Sequence, residues 1–379
     1  MARDIATPLG CSAPIFAFSH CRDVVVEASR SGGFGVLGAV LFSPEQLEQE
    51  LRWIDEHVGD HFYGVDVLIP VTYSKEAEAS TGRLREIVPP SHLEFVEKLL
   101  GDAGIPPLPP DVQRQVDEDR RGAERNNTPA GARALVEVAL RHPKMKLLVS
   151  ALGSPPPDVV QAMHARGGLV GALCGKAEHA RRHAQAGVDV IIAQGTEAGG
   201  HTGAISTFVL VPQVVQACGP GVAVLAAGGI TRGSQVAAAV AMGAQGVWCG
   251  TLWLATRESD LLPYQKRALF KARAEDAVQS LSRTGKPVRL LRSRWSEAWA
   301  APDAPRPLQP PLQEVLVRMA VPRIDRAERG DFYTTPCGQG VADLHEELSV
   351  RQVMVELQEG YLEALERLAD VHARLAAAT

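Results

Sequence analysis

In the stretch QGTEAGGHTG, residues 194–203, a single histidine stands among glycines. An imidazole has an ordinary pKa of about 6.5, so its neutral form can take up a proton near neutral pH. Three roles compete for His201: metal ligand, general base, or a polar residue satisfied by a backbone carbonyl. A metal needs further ligands, and no HxH, HxxxH or cysteine partner lies nearby. The choice between the other two depends on the elements around the stretch.

Short apolar runs recur along the chain, at residues 13–19, 34–40, 62–69, 146–152, 169–174, 189–195, 223–229 and 246–252. Continuous Val, Ile and Leu runs, rather than alternation, are the pattern of parallel strands covered on both faces. Helix signals fall between them. Ser43, Pro44 and Gln46 form a capping-box pattern before Leu47, Leu51 and Ile54, and Gly187 ends the segment AEHARRHAQAG. Eight strands alternating with helices predict a (β/α)8 barrel, with a doubly wound open sheet as the competitor.

Two regions break the rhythm. Residues 71–130 are charged and rich in Pro-Pro pairs, which predicts an inserted helical lid or subdomain, or else a surface insertion. After residue 255 the alternation stops, and Ser349 and Gln352 open a long amphipathic helix. The expected division is therefore a barrel at 1–70 and 131–260, an insertion at 71–130, and a mainly helical extension at 261–379.

Function in a barrel gathers on the loops after the strands. His201 follows the sixth strand, on that side, which favours the general base over a purely structural histidine. Gln194 ends the same strand, where its amide could bond a heterocyclic ring. Ala198, Gly199 and Gly200 would let a flat ligand lie against the backbone. After the seventh strand, Gly228 and Gly229 allow amide groups to approach an anion, with Thr231 or Ser234 as caps of the next helix. After the eighth, Trp248, Cys249, Gly250 and Thr251 offer a glycine and a hydroxyl. Adjacent glycine loops in this order point to a phosphate-bearing ligand. His20 and Cys21 also reach the mouth, Glu197 is expected to be solvated, and His179 and His183 are expected on a solvated helix face.

The bulk numbers describe a globular chain able to bury a full core. The chain has 379 residues, 45% of them hydrophobic, and a formal charge of -5. That leaves no basic footprint for nucleic acid or anionic lipid. The six cysteines are scattered, as suits reduced thiols. The first twenty residues carry no secretory pattern, and no apolar run nears the ~20 residues of a membrane span. A cytoplasmic protein is expected, and a homo-oligomer is left open.

DVIIAQGTEAGGHTG, AVLAAGGI and GAQGVWCGTLWLATRES, in this order and spacing, resemble the nitronate monooxygenase family. The likeness extends more weakly to PIFAFS, GGFGVLGA, YGVDVLIP, TGKPVRLLRS and CGQG. The resemblance implies an FMN-binding TIM barrel acting on a small-molecule substrate and O2, with His201 as catalytic base. It places Gln194 and Gly199 at flavin-contacting positions, and Gly229 and Trp248 to Thr251 at the phosphate. It also implies that Gly338 and Gln339 fold back toward the flavin. EAGGH alone is shared with FMN-dependent enoyl-acyl carrier protein reductases and some NADH:quinone reductases. An NAD(P)H oxidoreductase acting on an enoyl thioester or quinone is therefore the alternative, and a barrel that only senses a phosphorylated ligand is another. The chain departs from the family at FAFSHC after the first strand, in its long insertion, and at Asp66, where Asn is usual.

Overall fold

The computed structural model describes residues 4–69, 84–124, 126 and 128–378. Eight parallel strands close into a barrel in sequence order: β1 (Ile15–Ser19), β2 (Phe34–Gly38), β3 (Tyr63–Val67), β4 (Met145–Ser150), β5 (Leu169–Cys174), β6 (Val190–Gln194), β7 (Ala223–Ala227) and β8 (Gly246–Cys249). Each lies within one of the apolar runs except β4, which begins one residue before its run, at Met145. Closure comes from β1 pairing with β8, Ile15 opposite Val247. This excludes the open sheet.

Alternation sorts each strand between two cores. Phe16, Phe34, Val36, Leu147, Ile192 and Leu225 fill the barrel interior, and Leu9 packs with them. The intervening residues, such as Ile15, Leu37, Val65 and Leu148, face the surrounding helices. Burial of both faces is why these strands are apolar throughout. Both capping boxes form. Gln46 N–H donates to Ser43 Oγ at 3.2 Å and Ser43 N–H to Gln46 Oε1 at 2.8 Å, with the same exchange between Ser349 and Gln352 at 3.1 and 2.9 Å.

Part of the expected insertion, residues 71–83, lies outside the described residues. The helices Pro90–Asp102 and Leu312–Arg326 share a third core with Trp295, Trp299 and Phe332. Arg323 ties them further, bonding both Glu97 carboxylate oxygens at 2.8 Å. Segments distant in sequence thus make one packed unit. The region after residue 255 also contains strands: β9 (Ala277–Ser280) and β10 (Val288–Leu291) form an antiparallel hairpin. Four-residue strands carry too short a pattern to be read from alternation.

The C-terminal helix Val350–Ala378 lies on the helix Gly233–Ala241, which follows β7. A β-carbon at Gly233 would stand 2.2 Å from the Tyr361 nitrogen and 2.3 Å from the Leu357 carbonyl oxygen. Both are backbone atoms and cannot rotate away. Gly233→Ala is therefore expected to cost about 1–3 kcal/mol, the usual range for overpacking. Urea denaturation checks this, and an unchanged midpoint would show that the two helices can separate freely.

Candidate functional site at the barrel mouth

The inward-facing residues at the strand ends set the floor of the mouth. Phe18 of β1 and Trp248 of β8 stack with centroids 5.7 Å apart and close the interior core. Gln194 ends β6 on the same inward alternation as Val190 and Ile192. Its amide makes no side-chain hydrogen bond within the described residues. Cys249, in contrast, packs its thiol into the outer core, and burial pushes it up to about 12. Only its backbone can serve a ligand at the mouth.

Over this floor the loops after β6, β7 and β8 meet a segment from the far end of the chain. Gln339 N–H donates to Glu197 O at 2.9 Å, and Gly338 N–H donates to Thr251 Oγ1 at 2.8 Å. A β-carbon on Gly199 would lie 2.8 Å from the Cys337 carbonyl carbon, so the space its missing side chain leaves is filled by the chain itself. The expected open bed is thus partly a docking surface for residues 337–340. Gly200 pairs with Arg289 as an antiparallel bridge, with N–H···O bonds of 3.0 and 2.8 Å. Arg289 also donates Nε–H to Thr196 O at 2.7 Å. The hairpin β9–β10 therefore clamps the loop that carries His201.

The expectation of a solvated Glu197 is corrected. Its carboxylate accepts from Thr207 N–H at 3.0 Å and from Thr207 Oγ1 at 2.9 Å, capping the helix Thr207–Cys218. The paired-histidine helix is corrected too: His183 is buried and its Nδ1 lies 2.8 Å from Ser154 Oγ.

Gly228 and Gly229 have φ of +111° and +70°, a region that L side chains avoid. Their amides and that of Gly250 donate to no carbonyl among the described residues. These amides, beside the start of the Gly233–Ala241 helix, suit an anionic group such as a phosphate. The anticipated caps differ in detail. Gln235 Oε1 accepts from the Thr231 and Arg232 amides at 2.8 and 3.0 Å, while Thr231 bonds Asp343. No group of three metal-ligating side chains occurs among the described residues.

His201 sits at the rim with its Nδ1 3.0 Å from Pro287 O. A carbonyl oxygen only accepts, so Nδ1 carries the proton and Nε2 presents a lone pair. Loss of water around the ring holds its pKa below the ordinary imidazole value, outweighing the hydrogen bond to Pro287. His20 is held in the same way, Nδ1 to Gly38 O at 2.8 Å, with burial lowering its pKa. Sequence reading missed the anchor of His201 because Pro287 is far along the chain and contributes a backbone atom.

Asp66, next to the last residue of β3, faces inward, 6% exposed, with no hydrogen-bond partner among the described residues. Burial alone raises its pKa to about 7. An unfolded aspartate ionises near 3.9, so unfolding releases a proton between about pH 4 and pH 7 and stability falls as pH rises through that window. Asp66→Asn removes this penalty. Its stability relative to the unaltered chain is expected to be greater at about pH 8 than at about pH 5. Urea denaturation at the two values checks it, and an equal difference at both would contradict a proton held on Asp66.

The pattern of the family described as nitronate monooxygenase matches residues 13–360. The Mycobacterium tuberculosis protein Rv1533, provisionally named a monooxygenase, is 46% identical over 97% of this chain and 98% of its own. A Bacillus subtilis protein named a probable nitronate monooxygenase is 25% identical over 87% of this chain and 89% of its own. Among solved structures, nitroalkane oxidase from Streptomyces ansochromogenes superposes with a TM-score of 0.78 at 25% identity, covering 96% of this chain and all of that one. FabK from Thermotoga maritima shares the fold, at 24% identity and a TM-score of 0.69 over 98% of this chain and 100% of that one. Eight strands closed in order, the glycine loops after the last three, and a match across most of the sequence lead to one conclusion: the chain belongs to the nitronate monooxygenase family of flavin-dependent oxidoreductases.

Proposed function

We propose that the chain oxidises alkyl nitronates, and nitroalkanes after loss of their α-proton, to carbonyl compounds and nitrite with O2. FMN, when bound, would supply the chemistry of taking electrons from the substrate and passing them to oxygen. The amides of Gly228, Gly229 and Gly250 fit its phosphate, since they are unpaired and lie at the ends of β7 and β8. Gln194 would face the ring system from the end of β6, and Trp248 would support it from below. Gly199, Thr251 and Gln339 would act indirectly, by holding the 337–340 segment beside the site.

The observation that carries the reading is the anchored His201. With Nδ1 fixed to Pro287 O, the ring can turn its basic Nε2 toward a substrate and stay in the required tautomer. A lowered pKa keeps it neutral at pH 7. A neutral nitroalkane needs its α-proton removed, whereas a nitronate has already lost it.

His201→Asn is expected to lower kcat/KM for a nitroalkane by about 100-fold or more, the usual contribution of a general base. Turnover of the matching nitronate should change far less. In the unaltered enzyme, nitroalkane turnover should rise with pH through a point below the ordinary imidazole value and then level off. Nitrite release measured on both substrates checks this. Equal loss on both would remove His201 from the role of base.

A further inference from the structure

The turn between β9 and β10 does more than orient His201. It is rigid: a β-carbon at Gly285 would overlap the Leu308 carbonyl oxygen, and Ser282 O accepts from Trp295 Nε1 at 3.2 Å and Gln313 Nε2 at 2.9 Å. Arg283 is carried by this turn. Its Nη1 donates to Thr334 O at 2.9 Å and reaches Thr334 Oγ1 at 3.4 Å. Nε and Nη2 have no partner among the described residues, and neither is a sealed atom. No carboxylate lies within ion-pair distance of the guanidinium there. Glu314, the acid whose charge it feels, is paired with Arg318 at 3.3 Å.

A guanidinium offers five N–H donors in a planar fork, and those of Nε and Nη2, unbonded to the protein and open to the mouth, are free for a ligand. Its placement fits that use. The same turn supplies Pro287 O to His201, so Arg283 and the proposed base belong to one rigid piece. The positive charge of Arg283 also reaches across the mouth, helping to lower the pKa of both His20 and His201.

We propose that Arg283 binds the planar two-oxygen anionic head of the substrate, a nitronate or a carboxylate, through Nε and Nη2. This rests on the reading that the mouth oxidises a small molecule. For a nitroalkane the step balances without another reactant. The α C–H bond breaks and its proton moves to His201 Nε2. The electron pair left on carbon forms a C=N bond, and the negative charge settles on the nitro oxygens facing Arg283. A nitronate arrives with that charge already in place.

The test uses the flavin-loaded enzyme, its Arg283→Gln and Arg283→Lys variants, propyl-1-nitronate as substrate and sodium propionate as a carboxylate probe. In Arg283→Gln, KM for the nitronate should rise on the order of tenfold to a hundredfold, the worth of hydrogen bonds to a charged group, with a much smaller change in kcat. Arg283→Lys should fall between the two, since it keeps the charge and loses the fork. Propionate should perturb the flavin absorbance of the unaltered enzyme and lose that effect in Arg283→Gln. A nitronate KM that responds while propionate binds nowhere supports Arg283 and assigns the anion as nitronate alone. If no nitronate is oxidised at all, the proposed function fails, and the propionate titration still decides the fate of Arg283. An unchanged KM and unchanged propionate binding in a folded, flavin-replete Arg283→Gln would overturn the inference. Should that variant not fold, an Arg283→Lys enzyme indistinguishable from the unaltered one in both measurements would do the same.

Discussion

A β-carbon on Gly338 would stand 2.5 Å from the Glu197 carbonyl oxygen, and one on Gly199 would stand 2.8 Å from the Cys337 carbonyl carbon. Two backbones can touch this closely only where a glycine stands at each point of approach. The contact joins the loop after β6 to a segment nearly 140 residues later, and the rest of the mouth depends on it. Through it Gly338 reaches Thr251 after β8, and Gln339 reaches the backbone of Glu197. A β-carbon on Gly340 would press into Thr231 after β7. One short segment thus fixes the relative positions of three loops, the ones that carry His201 and the unpaired amides.

The charge distribution at this mouth follows a single logic. Three titratable groups here are held toward their neutral forms: His20 and His201 by removal of water, and Asp66 by burial that keeps its proton to about pH 7. Of the charged groups, Glu197 is bonded to Thr207 and Arg289 to backbone carbonyls, whereas Arg283 is a cation with idle donors and no close carboxylate among the described residues. A site arranged in this way favours an anion over a neutral or cationic ligand. The Asp66 carboxyl thus bears no charge below about pH 7.

Much of this was legible in the residues. Strand positions followed from apolar runs, because burial on both faces leaves each strand little room for polar residues. The capping boxes at Ser43 and Ser349 were legible because their hydrogen bonds are local. What escaped depends on contacts distant in sequence. Glu197 looked solvated because its partner Thr207 lies ten residues away, and His183 looked exposed because Ser154 lies on another loop. The two arginines of the β9–β10 hairpin gave no local signal at all. Gly199 was recognised as a place for close approach, but the sequence could not say that the approaching group was its own chain.

The central claim is that electrons enter this site from an anionic nitronate. Mixing the flavin-loaded enzyme anaerobically with propyl-1-nitronate, NADH and NADPH in parallel, while following flavin absorbance, tests it most directly. The account predicts rapid bleaching by the nitronate and none by either nicotinamide. Bleaching by NADH or NADPH with the nitronate inert would contradict it and make the chain a nicotinamide-dependent reductase on the same barrel.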